Sequence, residues 1–199
     1  MANSNSNLKQ ALIHNGLLLL NQEGIDGFSL RKVALMCGVS HNAPYKHFKN
    51  KEELIQGIIN EVWKEFHITL SSVAKTHPNN SKLQLIELGK AYVRFMVENP
   101  EYLKFMFLSD HALPIAIEAG TCKVEQDSFI CETNNSFAIL RECAEQYFQE
   151  KNVDTSLYLQ KTLALWSLVH GIAILIAKKN IEYKGDYLTL VESMIQASL

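Results

Sequence analysis

The chain has 199 residues, 47% of them hydrophobic, and a formal net charge of −2. That is enough for one large or two small domains with a proper core, and it excludes a disordered chain or a uniformly basic nucleic-acid coat protein. Four prolines and nine glycines leave the interior free to be largely helical. The charge is unevenly spread. Residues 1–51 hold six Lys and Arg against two acidic residues, a net of +4, which leaves −6 for the remainder. A basic N-terminal part on an acidic body fits a DNA-binding unit carried by a domain that does not touch DNA. The opening MANSNSN is polar and lacks the apolar run of a secretory signal, so it reads as a frayed tail and the chain as cytoplasmic. Cys37, Cys122, Cys131 and Cys143 show no metal-ligand spacing and are expected to be reduced thiols.

Leu12, Ile13, Gly16, Leu17 and Leu20 recur at helical spacing and predict a first helix that Gly24 ends. Ser29 is placed to cap a second, with Phe28 and Val33 as a hydrophobic staple and Leu30, Val33, Ala34 and Cys37 as its apolar face. Gly38 supplies the positive φ of a left-handed cap, and Ser40 is expected to cap a third helix that starts almost at once. Two short helices so closely joined make a helix-turn-helix, whose second member enters a DNA major groove. His41 and Asn42 fall in its first turn, where side chains meet base edges, and Asn can pair bidentately with adenine. Tyr45 and His47 are expected to donate to phosphate, Lys46 adds charge, and Val39 and Phe48 are apolar anchors. Pro44 removes one early hydrogen bond and discourages helical geometry at Ala43, so an irregular start is expected.

Asn50 with Glu53 imitates a capping box for a long helix from Lys51 to about residue 75, bearing Leu54, Ile55, Ile58, Ile59, Val62 and Phe66 at helical spacing. It connects the two halves of the chain. His77, Pro78, Asn79 and Asn80 make a break. Ser81 is expected to cap the next helix, which carries Leu85, Leu88, Tyr92, Phe95 and Met96 and stops before Pro100. Pro100 fits the first turn of a short helix containing Tyr102, Phe105, Met106 and Phe107. Residues 110–123 predict a loop or broken helix. Residues 125–150 predict a helix through Phe129, Phe137, Leu140, Ala144 and Phe148. LALWSLVHGIAILIA, residues 163–177, is almost continuously apolar; its 15 residues fall short of the ~20 that span a bilayer, so no membrane partner is expected. A helix apolar on all sides should be buried on all sides, in part by a second copy. A last helix after Gly185 carries Tyr187, Leu188, Val191, Met194 and Ile195.

GVSHNAPYKHFKNKEEL resembles the second half of the DNA-binding domain of TetR-family transcriptional repressors. The matching residues are Gly38, Val39, Ser40, Tyr45, His47, Phe48 and Lys51, and the resemblance extends back through Ser29, Arg31, Val33 and Ala34. Pro44 departs from it, since many members have Leu there. Trp166, His170 and Gly171 are similar to the Trp-x-x-x-His-Gly signature of one branch, in which the Ala43–Phe48 variant is also common. The resemblance implies a homodimer, here through about residues 155–198, a double-stranded DNA operator as partner, and DNA-backbone contacts from Tyr45, His47 and Lys51. It implies an all-α fold with a three-helix DNA-binding domain over 1–50 and an effector-binding and dimerisation domain over 51–199.

The candidate DNA contacts are Ser29, Arg31, Ser40, His41, Asn42, Pro44, Tyr45, Lys46, His47 and Lys51. Phe95, Met96, Tyr102, Phe105, Met106, Phe137, Trp166 and His170 are candidates for lining the site of a small apolar effector. Plain core is the competing reading for each, and for His170 a core histidine bonded to a backbone carbonyl. No nucleophile elbow, HExxH, phosphate loop or carboxylate pair occurs, so no enzyme, cofactor or metal is expected. The expected function is a dimeric repressor released from a near-palindromic operator by its effector. The alternative is a helical adaptor or small-molecule-binding protein without DNA binding.

Overall fold

The computed structural model describes residues 2–108, 112, 124–125, 128–129 and 136–199. Helix α1 spans Ala2–Gly27 and is interrupted at Gly24, with φ 68° and ψ −175°. The N-terminal segment read as a frayed tail is helical from Ala2; no Pro or Gly separates it from the apolar stripe that begins at Leu8. Helix α2, Leu30–Met36, starts at Ser29, whose side chain accepts the Lys32 N–H. It ends in a double reverse bond, Gly38 N–H to Leu35 O and Val39 N–H to Ala34 O, which requires the positive φ of 66° at Gly38.

The third helix expected from Ser40 is instead a turn followed by one 3₁₀ turn, Pro44–Lys46. Ser40 does not cap it; its carbonyl accepts the Ala43 N–H at 2.9 Å. Ala43 is helical, with φ −62° and ψ −39°, contrary to the expected discouragement. What Pro44 removes is the N–H that would bond back to residue 40, so the segment never closes an α-turn there.

Helix α3, Lys51–Ala74, has the expected capping geometry: the Asn50 side chain accepts the Glu53 N–H at 2.8 Å, and the Glu53 carboxylate accepts the Lys49 N–H. Its 24 residues run without interruption from the DNA-binding bundle into the C-terminal body. Helix α4, Ser81–Glu98, is capped by the Asn80 side chain, which accepts the Leu83 N–H at 3.0 Å. Ser81, expected as the cap, is the first helical residue, buried, and its hydroxyl donates to the Glu150 carboxylate. Pro100 opens α5, Pro100–Leu103, and a π-helical turn, Lys104–Leu108, follows.

Two-residue strands β1, Val124–Glu125, and β2, Ser128–Phe129, pair antiparallel. Glu125 and Ser128–Phe129, expected at the start of a helix over 125–150, are strand residues; α6 is Ser136–Glu150. Phe129, expected on that helix, belongs to β2. Most of the loop expected at 110–123, and Cys122 and Cys131, lie outside the described residues. After a 3₁₀ turn at Thr155–Leu157 come α7, Tyr158–Ala177, and α8, Tyr187–Ser198, the latter capped by Asp186.

The fold is all-α apart from that short ladder. Helix α4 is its hub, packing on α3, α6, α7 and α8. Leu85, Ile86, Leu88, Val93 and Met96 are buried along it, each contributing roughly 1.5–3 kcal/mol. Gly89 permits the closest approach: a Cβ there would collide with Ile195 Cδ1 and stand 3.2 Å from Val169 Cγ1. Lys90 ties α4 to α8 through Glu192 at 3.2 Å. One continuous cluster of buried side chains extends from Leu12 to Ile195.

Helix α7 is 20 residues long, longer than the apolar run counted in the sequence, and by length and composition alone Thr155–Ala177 could cross a bilayer. It is packed as a core helix: Thr162, Leu165, Val169, Ile172 and Ala173 are buried. Burial on all sides does not occur within one chain. Ala164, Ser167 and Leu175 on the other side are exposed, Leu175 to 39%. Nothing stands within 4 Å of a Cβ added at Gly171.

Candidate nucleic-acid interface and effector cavity

Local bonding decides which N-terminal side chains are available to a second molecule. Ser29 Oγ is engaged by the Lys32 N–H at 3.2 Å. Lys32, next to Arg31, is drawn to the Glu23 carboxylate and the Gly27 carbonyl. Arg31 is exposed and makes no ion pair that the described residues show. Ser40, His41, Asn42, Tyr45 and Lys46 are all exposed on the turn and the 3₁₀ segment, Tyr45 to 57%. Pro44 and Phe48 point inward and are buried, pinning this segment at two places, while Val39 is half-buried. Pro44 is thus set beneath the exposed row rather than in it. His47 is half-buried, and its Nε2 is buried without a partner among the described residues.

Lys51 is half-buried at the start of α3. Its Nζ donates to the Ile25 carbonyl at 2.8 Å and lies 5.8 Å from the centre of the Phe28 ring. That carbonyl belongs to the last turn of α1, where it also accepts the Phe28 N–H at 3.4 Å, so the lysine fastens α3 to the end of α1. An ammonium has three donors, and two remain. Asn50 and the first turn of α3 add the positive end of a helix dipole at the same place.

The second site lies inside the C-terminal body. Phe66, Leu88, Tyr92, Phe137, Leu165 and Trp166 are among the walls of an apolar cavity that leaves about 30 Å³ for the centre of a water molecule. It is a small space, and apart from Ser136 and the Tyr92 phenol its walls are apolar. Phe107 closes one side, packed 6.4 Å from Trp166 and 4.8 Å from His170 between ring centres. Trp166 stacks on His170 at 5.0 Å. His170 Nδ1 meets the Tyr92 hydroxyl at 2.7 Å, so its partner is a phenol and not a backbone carbonyl. Burial pushes the Tyr92 phenol far up, with the Trp166 indole opposing, and pulls His170 down. Both groups are therefore neutral near pH 7, and the phenol can donate to Nδ1 while Nε2 keeps the ring proton.

Of the candidate effector residues, Phe137 and Trp166 line this cavity, and His170 borders it through Tyr92, Phe107 and Trp166. Phe95, Met96, Tyr102, Phe105 and Met106 are buried in the surrounding core. Phe66, Leu70 and Tyr92, absent from the candidate list, are in the walls. Phe66 and Leu70 share a row on α3, and Tyr92 sits one turn before Phe95; the same periodicity that marks these helices' inner faces was the available signal.

Comparison with known proteins covers most of the chain. Residues 12–58 match the family described as bacterial regulatory proteins, tetR family. Residues 85–198 match the tetracyclin repressor-like C-terminal domain. A Bacillus subtilis (strain 168) relative, the uncharacterized HTH-type transcriptional regulator YobS, is 25% identical over 182 residues, 91% of this chain and 85% of its own. The Escherichia coli tetracycline repressor protein class D is 36% identical over 59 residues, 30% of this chain and 27% of its own. Among solved structures, a Rhodococcus sp. RHA1 protein of unknown function superposes with a TM-score of 0.78 at 22% identity, over 96% of this chain and 93% of that one. The Bacillus subtilis transcriptional regulator FadR, in complex with stearoyl-CoA, superposes with a TM-score of 0.68 at 15% identity, over 95% and 96% of the two chains. At these identities the structural likeness speaks for the fold alone.

Proposed function

The chain belongs to the TetR family of bacterial transcriptional regulators, and from that premise we propose that it is a cytoplasmic, homodimeric repressor which a small apolar molecule releases from a near-palindromic operator. The observation that carries the DNA side of this reading is the exposed row Ser40, His41, Asn42, Tyr45 and Lys46, held out by buried Pro44 and Phe48. His41 and Asn42 face base edges. Tyr45, Lys46, Arg31 and Lys51 hold phosphate, with Ser29 beside them, and a phosphate contact from His47 falls to Nδ1 because its Nε2 is buried. A division into 1–50 and 51–199 is supported by the Asn50 cap, after which α3 connects the two parts.

The dimer reading is supported by the open side of α7, where Ala164, Ser167 and Gly171 let a second helix approach closely. A two-fold axis through this face and α8 would put two reading segments on one side of the DNA, with half-sites ~34–36 Å apart. The effector reading is supported by the apolar cavity, which lies against both α3 and α7. An effector that binds the DNA-incompetent arrangement ~10-fold better supplies only ~1.4 kcal/mol of coupling, enough for a tenfold loss of operator affinity. The direct test is a mobility shift with the DNA upstream of the protein's own gene, repeated as salt is raised. A protein that retards neither that DNA nor random duplex would be an adaptor or ligand carrier instead.

Two substitutions separate the roles at the interface. Lys51→Ala is expected to weaken operator and random DNA alike and to lower the slope of log affinity against log salt by about one. A loss confined to the operator contradicts the phosphate role. Replacing His41 or Asn42 by Ala is expected to cost about 1–3 kcal/mol at one or two base pairs and to relax the consensus there. Binding-site selection that returns an unchanged consensus with both side chains removed would overturn their assignment.

A further inference from the structure

The cavity is too small for an effector of more than a few atoms, so binding requires a wall to move. The walls differ in how firmly they are held. Phe66, Leu88 and Leu165 are buried on regular stretches of α3, α4 and α7. Phe107 is only partly buried and belongs to the π-helical turn Lys104–Leu108. A π-helical turn is rare and is found frequently at functional sites. Phe107 is therefore the wall that yields at least cost.

What lies behind it points to the kind of molecule that displaces it. The Phe107 ring centre is 5.2 Å from that of Trp63, in an edge-to-face pair. Trp63 is 4% exposed, and its indole N–H is buried with no acceptor among the described residues. A buried donor left without a partner is uncommon and costly. The other edge of the same ring cluster, the Tyr92 hydroxyl, is already matched to His170. Among the described residues no Lys, Arg or acidic side chain is in the cavity walls, so a charged ligand would be desolvated there without compensation. We propose that Phe107 is a displaceable partition, and that the Trp63 indole N–H behind it reads a neutral hydrogen-bond acceptor, a ketone, ester or ether oxygen, on an otherwise apolar effector. The proposal rests on the effector reading above. It adds a route of coupling, because Trp63 belongs to α3, the helix whose first residue is Lys51.

The test uses the full-length protein with acetophenone and butyrophenone, set against ethylbenzene and butylbenzene, which match them closely in shape but lack the oxygen. Affinity is read by calorimetric titration, and the Trp63 indole N–H resonance is followed by NMR. The ketones are expected to bind about three- to tenfold more tightly than the hydrocarbons, the gain of one neutral hydrogen bond, and to move that resonance downfield. Trp63→Phe, which keeps an aromatic ring and removes the N–H, is expected to abolish the preference while leaving hydrocarbon affinity within about twofold. Phe107→Ala is expected to tighten both series. Equal affinity for the two series in the unaltered protein, or a preference that survives Trp63→Phe, overturns the acceptor role and leaves the effector site standing. A Phe107→Ala protein that binds both series no better overturns the partition. If neither series binds at all, the effector reading and this proposal fall together.

Discussion

Gly171→Arg is expected to yield a folded monomer that has lost about two to four orders of magnitude in operator affinity. In one chain the position is open: a Cβ there meets nothing within 4 Å, so the substitution leaves α4 and α7 packed as before. In a two-fold dimer the same change occurs twice at a face where small residues allow close approach, and it brings two like charges together out of water. Without its partner each chain binds a half-site alone. The second half-site contact is then no longer favoured by the millimolar effective concentration that linkage provides, hence the ~10²–10⁴-fold loss. Sedimentation should give a monomer with unchanged helicity by circular dichroism. An undiminished dimer would mean that the chains associate elsewhere. Val169→Asp and Ile172→Asp are unsuitable for this purpose. Both side chains are buried within the single chain, so a charge there unfolds the protein and says nothing of assembly.

Phe66→Ala is expected to cost about 3–5 kcal/mol of stability, the usual range for removing a buried aromatic. Phe66 is 1% exposed, and its ring contacts Trp63, Tyr92 and Phe95 at 5.0–5.8 Å between centres. It also borders the existing cavity, so its loss enlarges a void that rigid neighbours on three helices cannot collapse to fill. For a domain of this size the melting temperature should fall by roughly 10 °C. Part of that loss should return when a small hydrocarbon fills the new space. A fall of only a degree or two would show that the surrounding helices close over the gap.

What could be read from the sequence and what could not divides by range. The Ser29 cap, the reversal at Gly38, the Asn50–Glu53 pair and the run of α3 from Lys51 are set by residues within four or five positions of one another, and all were legible. So was the all-α class. The cap at residue 80 in place of 81 turned on which of two adjacent polar residues faces inward: Ser81 is drawn into the core by Glu150, 69 positions away. The strand pair that replaces the expected helix start near 125 is one that no helical periodicity announces. The cavity was legible only in outline. Periodicity identifies the inner face of α4 and of α5, but a gap arises where the faces of α3, α4, α6, α7 and α8 fail to mesh, which is a property of five helices together. Phe95 and Phe105 therefore fell into solid core, while Phe66 and Tyr92, on equally apolar faces, came to border the space.

The short segment between Gly38 and Asn50 has a thermodynamic consequence. Its backbone bonds within the reading turn are few: Ala43 to Ser40, Lys46 to Ala43, and His47 and Phe48 to Pro44. Stretches so thinly bonded open at little cost and exchange their amides readily. Pro44 and Phe48 keep the segment in place at two points, while the residues proposed to meet DNA lie on the part with the least hydrogen-bonded support. On the proposed reading, operator binding completes the ordering of its own reader. Recognition becomes partly a folding reaction, with a favourable enthalpy set against an ordering entropy and a heat-capacity change larger than a preformed helix would give. A reader of this kind is tuned as much by how readily its peptide settles as by which bases it meets.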